Sequence, residues 1–380
     1  MNILAVLKKI KKLFMNSELI YQIAITLVPE IGHISGKKLI NHFGNVEAVF
    51  KESKKNLLLI PGISHRMVDS IINQKVLSQA EKELNYIEKN NIQSLFFKDN
   101  NYPNRLKHCT DGPILLYFKG DVNFNVPKVV SIVGTRTPSE HGKSQCEKLI
   151  KEIASTDALI ISGLAYGIDV CSHKAAMDQG LKTVGVLGHG LDRLYPALNR
   201  KTADKMLEMG GLLTEFLPGT LPDRTNFPMR NRIVAGMSDA TIVIESKASG
   251  GSLITAKLAF DYNRDVMALP GRPDDELSRG CNNLIKNNIA QLINNGKDFM
   301  RALSWEEKAP KERQIQKALF IDFTADEQKI VEVIMDSKEH SIDEISLSSK
   351  ITISKTASLL LGLEFKGAVK SLPGKLYRIA

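Results

Sequence analysis

The apolar positions along the chain fall into three regimes. From 17 to 76 they recur at helical spacing, interrupted by two Gly/Pro turns, Val28-Pro29-Glu30-Ile31-Gly32-His33-Ile34-Ser35-Gly36 and Leu59-Ile60-Pro61-Gly62-Ile63-Ser64. Each reads as helix, tight turn, helix. Residues 77–127 predict a connector packing on the core, with one short strand ending at Gly120. From 128 to 300 short apolar runs at Lys128–Val133, Ala158–Ser162, Thr183–Leu187, Leu212–Phe216, Ala240–Glu245 and Asp265–Leu269 alternate with helical stretches at 140–155, 168–179, 199–209, 230–237 and 252–263. Short apolar runs separated by helices are the mark of a parallel sheet covered on both faces, an α/β fold. Residues 301–320 read as a charged linker, and 321–380 return to helical spacing before two strand-like runs around Pro373-Gly374.

The two flanking regions have motif-level readings. The first resembles a tandem helix-hairpin-helix (SAM-like) module, in which backbone N–H groups at a helix start form a phosphate site; two ordinary turns of a small bundle fit the same residues. The last, helices followed by a hairpin, predicts a winged-helix-like domain that serves in protein contact or weak DNA binding.

Charge changes this picture less than its total suggests. The chain has 380 residues and a formal net charge of +9. Residues 1–128 carry 18 Lys+Arg against 11 Asp+Glu, so the surplus is N-terminal and the α/β region is nearly neutral. Lys8, Lys9, Lys11 and Lys12 lie in a basic extension, 1–16, that reads either as an amphipathic surface helix or as an appended start with Met15 as initiator. Its lysines interrupt the apolar run that a signal peptide needs, and no run of 18 apolar residues predicts a membrane span. The four cysteines lack CxxC spacing, which implies a reduced, cytoplasmic protein; no Cys/His set has zinc spacing, so neither metal nor cofactor is expected.

The candidate chemistry lies in loops after the predicted strands, where ligands bind open α/β sheets. Gly134-Thr135-Arg136 opens a helix with oriented N–H groups, a hydroxyl and a guanidinium suited to phosphate. Gly142-Lys143-Ser144 imitates the end of a P-loop, but Thr137 stands where its first Gly belongs, and G-x-G-x-x-G is absent. ATP hydrolysis and dinucleotide binding are therefore not supported. Ser162-Gly163 begins a second turn, in which Asp169 and His173 read as a helix-capping acid and a packed imidazole rather than a catalytic pair. Gly188-His189-Gly190 with Asp192 makes a third, with His189 expected to be exposed, leading to Asn199-Arg200-Lys201 at the next helix start. Gly251-Ser252 is a fourth anion-friendly helix start. Arg230 and Arg232, flanking Asn231, are expected either at the ligand or paired with Glu215 or Glu245 to organise the loops.

In this order, Val133-Gly134-Thr135-Arg136, Ser162-Gly163-Leu164-Ala165-x-Gly167-Ile168-Asp169, Gly190-Leu191-Asp192, Tyr195-Pro196 with Asn199, Phe227-Pro228-x-Arg230-Asn231-Arg232-Ile233 and Gly251-Ser252-Leu253-Ile254-Thr255-Ala256 resemble the DNA-processing protein A (DprA, or Smf) family of bacterial natural transformation. The resemblance runs from Tyr102 to Phe299. It implies an extended Rossmann-like domain that binds single-stranded DNA, forms homodimers, and hands the strand to the RecA recombinase while shielding it from nucleases, without catalysis. It assigns the DNA pocket to Gly134, Thr135, Arg136, Ser162, Gly163, the Gly188–Gly190 turn and Asn199-Arg200. Two departures stand out. Ala197 replaces a frequent Lys, so that Arg200 or Lys201 takes over or affinity falls, and His189 replaces a small residue, adding a ring that can narrow the turn or stack on a base. An enzyme of the nucleoside-monophosphate phosphoribohydrolase type shares the fold class, but its paired Glu/Arg signature is missing.

Overall fold

A computed structural model describes residues 17–306, 323–335, 339–372 and 376–379. The basic extension, most of the charged linker and the Pro373-Gly374 tip lie outside them. The chain divides into two compact units after Glu306.

The larger unit is built on a nine-stranded sheet. Its strands are β1 (Gln93–Phe96), β2 (Leu115–Gly120), β3 (Val129–Gly134), β4 (Leu159–Gly163), β5 (Thr183–Val186), β6 (Gly210–Thr214), β7 (Ala240–Ile244), β8 (Asp265–Ala268) and β9 (Gln291–Leu292). Their order is β1-β2-β6-β5-β4-β3-β7-β8-β9. All pairs from β6 to β9 are parallel, and β1 and β2 add antiparallel at one edge.

Alternation along the strands feeds two cores. Val129, Val133, Leu159, Ile161 and Val243 pack with Ile233, Val234, Ala256 and Ala259 of helices Asn226–Gly236 and Gly251–Asp261. Val130, Ile132, Ile160, Ile242 and Ile244 pack with Cys146, Leu149, Ile150, Ile168 and Ala176 of helices Glu140–Ile153 and Ile168–Asp178. Both faces of the central strands are therefore buried, as their unbroken apolar runs predicted.

The chain runs outward from β3 through β4, β5 and β6 and then crosses back to β7 on the other side of β3, so the strand order reverses there. That switch point opens a crevice beyond the carboxyl ends of the strands, the place where open α/β sheets bind ligands.

The N-terminal helices, 17–27, His33–Phe43, Val46–Lys51, Lys54–Leu58 and His65–Ile72, form a third core around Ile23, Leu39, Ile40, Leu57, Val68 and Ile71. It continues into Phe96, Leu115 and Tyr117, so the helices cover the β1–β2 edge. Helix Leu77–Lys89 and β1 come from the segment read as a connector with one strand; β1 has four residues, too few for a periodic signal. Helix Asn226–Gly236 starts four residues before the predicted 230, because Pro228 sits in the first turn, where its missing N–H has no intrahelical partner to lose.

The smaller unit is a winged helix. Helices Ala325–Ile334, Ile342–Ser349 and Ile353–Phe365 pack through Ile330, Ile334, Ile345, Leu360 and Leu363. A three-stranded antiparallel sheet of β10 (His340–Ser341), β11 (Val369–Leu372) and β12 (Leu376–Ile379) completes it, in the order β10-β12-β11. Capping boxes at Thr324/Glu327 and Ser341/Glu344 start its first two helices.

Candidate nucleic-acid interface

The crevice at the switch point is a cavity of about 420 Å³ lined by the loops after β3, β4 and β7 and by helix Asn226–Gly236. Gly134, Thr135, Arg136, Gly163, Asp169, Arg230, Asn231, Gly251 and Ser252 all face it. An adjoining apolar recess adds Tyr166, Gly188, Tyr195 and Phe227.

Two arginines define its chemistry. Arg136 is exposed at the end of the β3 loop, its guanidinium 5.6 Å from the centre of the Phe227 ring, which lies 6.0 Å from that of Tyr195. Arg230 is buried: it donates one Nη hydrogen bond to the Val186 carbonyl, and its Nε has no partner. Among the described residues neither guanidinium forms an ion pair with a carboxylate. Asp169 attracts Arg230 without reaching ion-pair contact, and burial lowers the Arg230 pKa. Gly163 permits this closeness, since a Cβ there would collide with both the Arg230 guanidinium and the Asp169 carboxylate.

Opposite them, helix Gly251–Asp261 begins with Gly250 as N-cap and no side-chain cap. The Leu253 N–H bonds the Gly250 carbonyl at 3.1 Å, the Gly251 and Ser252 N–H groups have no side-chain cap, and a helix N-terminus favours an anion there. The Ser252 hydroxyl bonds the Ser246 hydroxyl at 2.9 Å. Gly167, at φ 79°, lets the next loop close against Thr135 and Arg136, where any Cβ would strike the backbone.

Several predicted site residues turn inward and build the walls instead. Ser162 Oγ donates to the Ile132 carbonyl at 2.6 Å. Asn199 is buried, and its Nδ2 donates to the Leu164 and Ala165 carbonyls at 3.1 and 3.3 Å, tying a helix start to the crevice wall. Arg200 and Lys201 follow it, exposed on helix Arg200–Glu208 outside the crevice lining. His189, expected to be exposed and available for stacking, is 1% exposed. Its Nδ1 lies 2.9 Å from the Gly190 carbonyl, and its Nε2 accepts the Tyr195 N–H at 3.2 Å, so the ring is spent on folding its own turn. Burial lowers its pKa. Gly190 packs against the Leu217 carbonyl and Asp192, whose carboxylate pairs with Arg193 at 2.8 Å.

Asp169 and His173 are likewise structural. Asp169 accepts the Ala165 N–H at 3.3 Å, while Gly167, not Asp169, is the N-cap of its helix. Burial raises the Asp169 pKa, and Arg230 opposes it. The ring nitrogens of His173 lie 2.7 Å from Thr183 Oγ1 and 2.6 Å from the Gly163 carbonyl, and burial pushes its pKa down to about 4. The ring is fully buried and bonded through both nitrogens, and it supports the strand end from which Arg230 is reached.

The expected Arg–Glu pairing divides. Arg232 does pair with Glu215, which also holds His33 Nε2 of the N-terminal helices at 2.8 Å, while Arg232 donates to the Asp111 carbonyl at 2.6 Å. Arg230 pairs with neither glutamate, since it points into the crevice. Glu245, at φ 50°, accepts the Ser139 N–H at 2.8 Å and the Ser139 hydroxyl, closing the Arg136 loop onto β7. The aromatic rim of Tyr166, Tyr195 and Phe227 was not among the predicted site residues; its sequence signal is three aromatics each next to a Gly or Pro in these loops.

A mostly parallel sheet with a cationic, Gly-lined crevice at its switch point defines an open α/β protein whose ligand crevice lies beyond the strand ends. The family model for DNA recombination-mediator protein A matches residues 93–304, and that for the DprA winged helix domain matches 309–375. Protein Smf of Synechocystis is 36% identical over 283 residues, covering 73% of this chain and 71% of its own. DprA of Streptococcus pneumoniae is 41% identical over 202 residues, 53% and 71% of the two chains. The X-ray structure of the Streptococcus pneumoniae protein superposes with a TM-score of 0.65 at 33% identity, covering 74% of this chain and 97% of that one. DNA processing protein A of Helicobacter pylori, described for its single-stranded DNA binding mode, superposes at 0.51 and 30% identity over 56% and 95%. The chain belongs to the DNA-processing protein A (DprA/Smf) family of DNA recombination mediators. Among the described residues no helix is long and apolar enough to cross a membrane.

Proposed function

We propose that this protein binds single-stranded DNA without sequence preference in the switch-point crevice, and, as a homodimer, passes the strand to the RecA recombinase during transformation without catalysing a reaction on it. The observation that carries this reading is the buried Arg230 guanidinium, with an unpartnered Nε beside the exposed Arg136 and, among the described residues, no carboxylate in ion-pair contact with either. A buried cation left in this state is stabilised by an anionic ligand, and the cavity opens to solvent on a rim of aromatic rings. A phosphodiester satisfies the arginines and the Gly250-Gly251 helix start, and its bases find Tyr166, Tyr195 and Phe227 as stacking surfaces of no sequence preference. Gly134, Thr135, Gly163 and Ser252 bring backbone and hydroxyl groups to the phosphate; Arg200 and Lys201 extend the path along the outer wall.

Fluorescence anisotropy of a labelled oligo-dT strand tests the assignment. Arg136→Ala is expected to weaken binding about tenfold or more, the worth of one charge-assisted contact. Unchanged affinity in a variant with native circular dichroism overturns the pocket.

A further inference from the structure

Two of the four cysteines have no part in this reading, and they stand together. Cys146 lies inside helix Glu140–Ile153 and Cys171 inside helix Ile168–Asp178, two helices packed against the same face of the sheet. Both belong to the same core cluster, and Cys171 Sγ reaches the Lys143 carbonyl at 3.8 Å, one turn from Cys146 on the facing helix. Cys146 is fully buried, whereas Cys171 is only half-buried and lines an open recess with Arg136, Thr137, Lys143, Tyr166 and Lys174, next to the crevice. The other two thiols are buried and apart: Cys109 Sγ is 3.9 Å from the Arg105 carbonyl and Cys281 Sγ 3.7 Å from that of Val243.

We infer that Cys171 and Cys146 form a reversible thiol–disulfide pair, in which Cys171 meets a peroxide oxidant through the recess and Cys146 resolves it. In the first step the Cys171 thiolate sulfur attacks a peroxide oxygen; an S–O bond forms, the O–O bond breaks, and hydroxide leaves to take up a proton as water. In the second the Cys146 sulfur attacks that sulfur; the S–S bond forms, the S–O bond breaks, and water leaves carrying the Cys146 proton. Two thiols are oxidised and one hydrogen peroxide is reduced to two waters. The chemistry of the pair suits these roles. The neighbouring Cys146 draws the Cys171 thiol below its usual pKa, opposed by burial and Glu147 and helped by Lys143 and Lys174, while Cys171 and burial hold Cys146 well above it. Burial raises Cys109, and pushes Cys281 up to about 12, so neither competes as a thiolate. This device is independent of what the crevice binds.

The test is intact-mass spectrometry of the full chain after hydrogen peroxide treatment. The expected result is a loss of about 2 Da, restored by dithiothreitol, with a protease-derived peptide joining residues 146 and 171. Maleimide should label only Cys109 and Cys281 after denaturation of the oxidised protein. Cys146→Ser should stop at a dimedone-trapped sulfenic acid on Cys171, and Cys171→Ser should leave Cys146 a thiol. Retention of four thiols, oxidation of Cys171 alone in the unsubstituted protein, or a bond to any other cysteine overturns the inference; the unsubstituted protein decides it even where a variant fails to fold.

Discussion

The crevice and helix Ile353–Phe365 of the winged helix treat their cations in opposite ways. In the crevice, Arg136 and Arg230 are held without ion-paired carboxylates among the described residues, one at the rim and one buried, beside an uncapped helix start. On the winged helix, the lysines at either end of Ile353–Phe365 are already neutralised. Lys355 pairs with Asp326 at 2.6 Å and Lys366 with Glu327 at 2.8 Å, and the surface between shows Leu361 and Phe365. A cation whose partner is built in has little to offer a phosphate, whereas one held in a concave site without a partner has stored that interaction for the ligand. Phosphate affinity is therefore a property of how a cation is held. Counting charge along the chain misses it.

The largest effect that tests this contrast comes from removing both crevice arginines. Arg136→Ala with Arg230→Met should weaken oligo-dT binding by about 100-fold or more, two charge-assisted contacts at about 1.5–3 kcal/mol each, read by anisotropy titration. Binding within tenfold of the unsubstituted protein would place the strand elsewhere and dissolve the distinction between the two regions.

Acid offers a second separation, because the crevice rests on a buried neutral histidine. The His173 pKa falls from its unfolded value near 6.5 to about 4 in the folded chain, so the unfolded state binds more protons between these values. The stabilisation is complete above about pH 6.5 and is lost as pH falls toward 4, by about 1.4 kcal/mol per pH unit across that window. Asp169, raised by burial, acts with the opposite sign at the acid end, so the decisive quantity is the difference between the unsubstituted protein and His173→Gln. Trp305, the one tryptophan, packs on Phe299 with ring centres 5.4 Å apart and reports the larger unit. Its fluorescence in urea melts should show the unsubstituted protein losing stability from pH 6.5 to 4.5 more steeply than His173→Gln. Equal pH slopes would show that the imidazole takes up its proton at the same pH in the folded and unfolded chain.

The sheet was legible because each central strand is a short apolar run that is buried on both faces, and the Gly residues ending those runs marked where loops leave it. Arg136 was legible too, as a guanidinium immediately after a strand. What sequence could not assign was the direction in which a polar side chain turns. Gly188-His189-Gly190 looks open on paper, yet the imidazole folds back onto Gly190 and Tyr195, because a ring between two glycines finds its nearest hydrogen-bond partners in its own turn. Arg230 and Arg232 are two residues apart on one helix and therefore point about 200° apart, which is enough to send one into the crevice and the other to Glu215. Gly163 decides the outcome for Arg230, and that depends on a contact between residues far apart in sequence.

A smaller effect separates phosphate contact from general weakening. If Arg136 neutralises one phosphate, its loss should lower the slope of log affinity against log salt by about 0.7, the counterion release of a single strand. Arg136→Lys should keep the slope while losing part of the affinity, because an ammonium cannot fork onto two oxygens. A slope unchanged in Arg136→Ala would show that Arg136 acts through the Phe227 ring rather than on the strand.

The smallest effect is expected on the winged helix. Lys355→Ala removes a cation whose partner Asp326 also holds Lys329 at 3.1 Å, so the acid keeps a counter-charge and little field changes. Exposed pairs of this kind contribute about 0–1 kcal/mol to stability, and the fold should survive with a melting temperature close to that of the unsubstituted protein. Phe365→Ser removes a ring that is 84% exposed and outside the core of Ile330, Leu360 and Leu363. Both variants should bind oligo-dT within about twofold of the unsubstituted protein and with the same salt slope, because no phosphate contact is lost. A tenfold loss in Lys355→Ala would mean that the Lys355–Asp326 pair opens for the strand, making the winged helix a second phosphate site in spite of its built-in counter-charges.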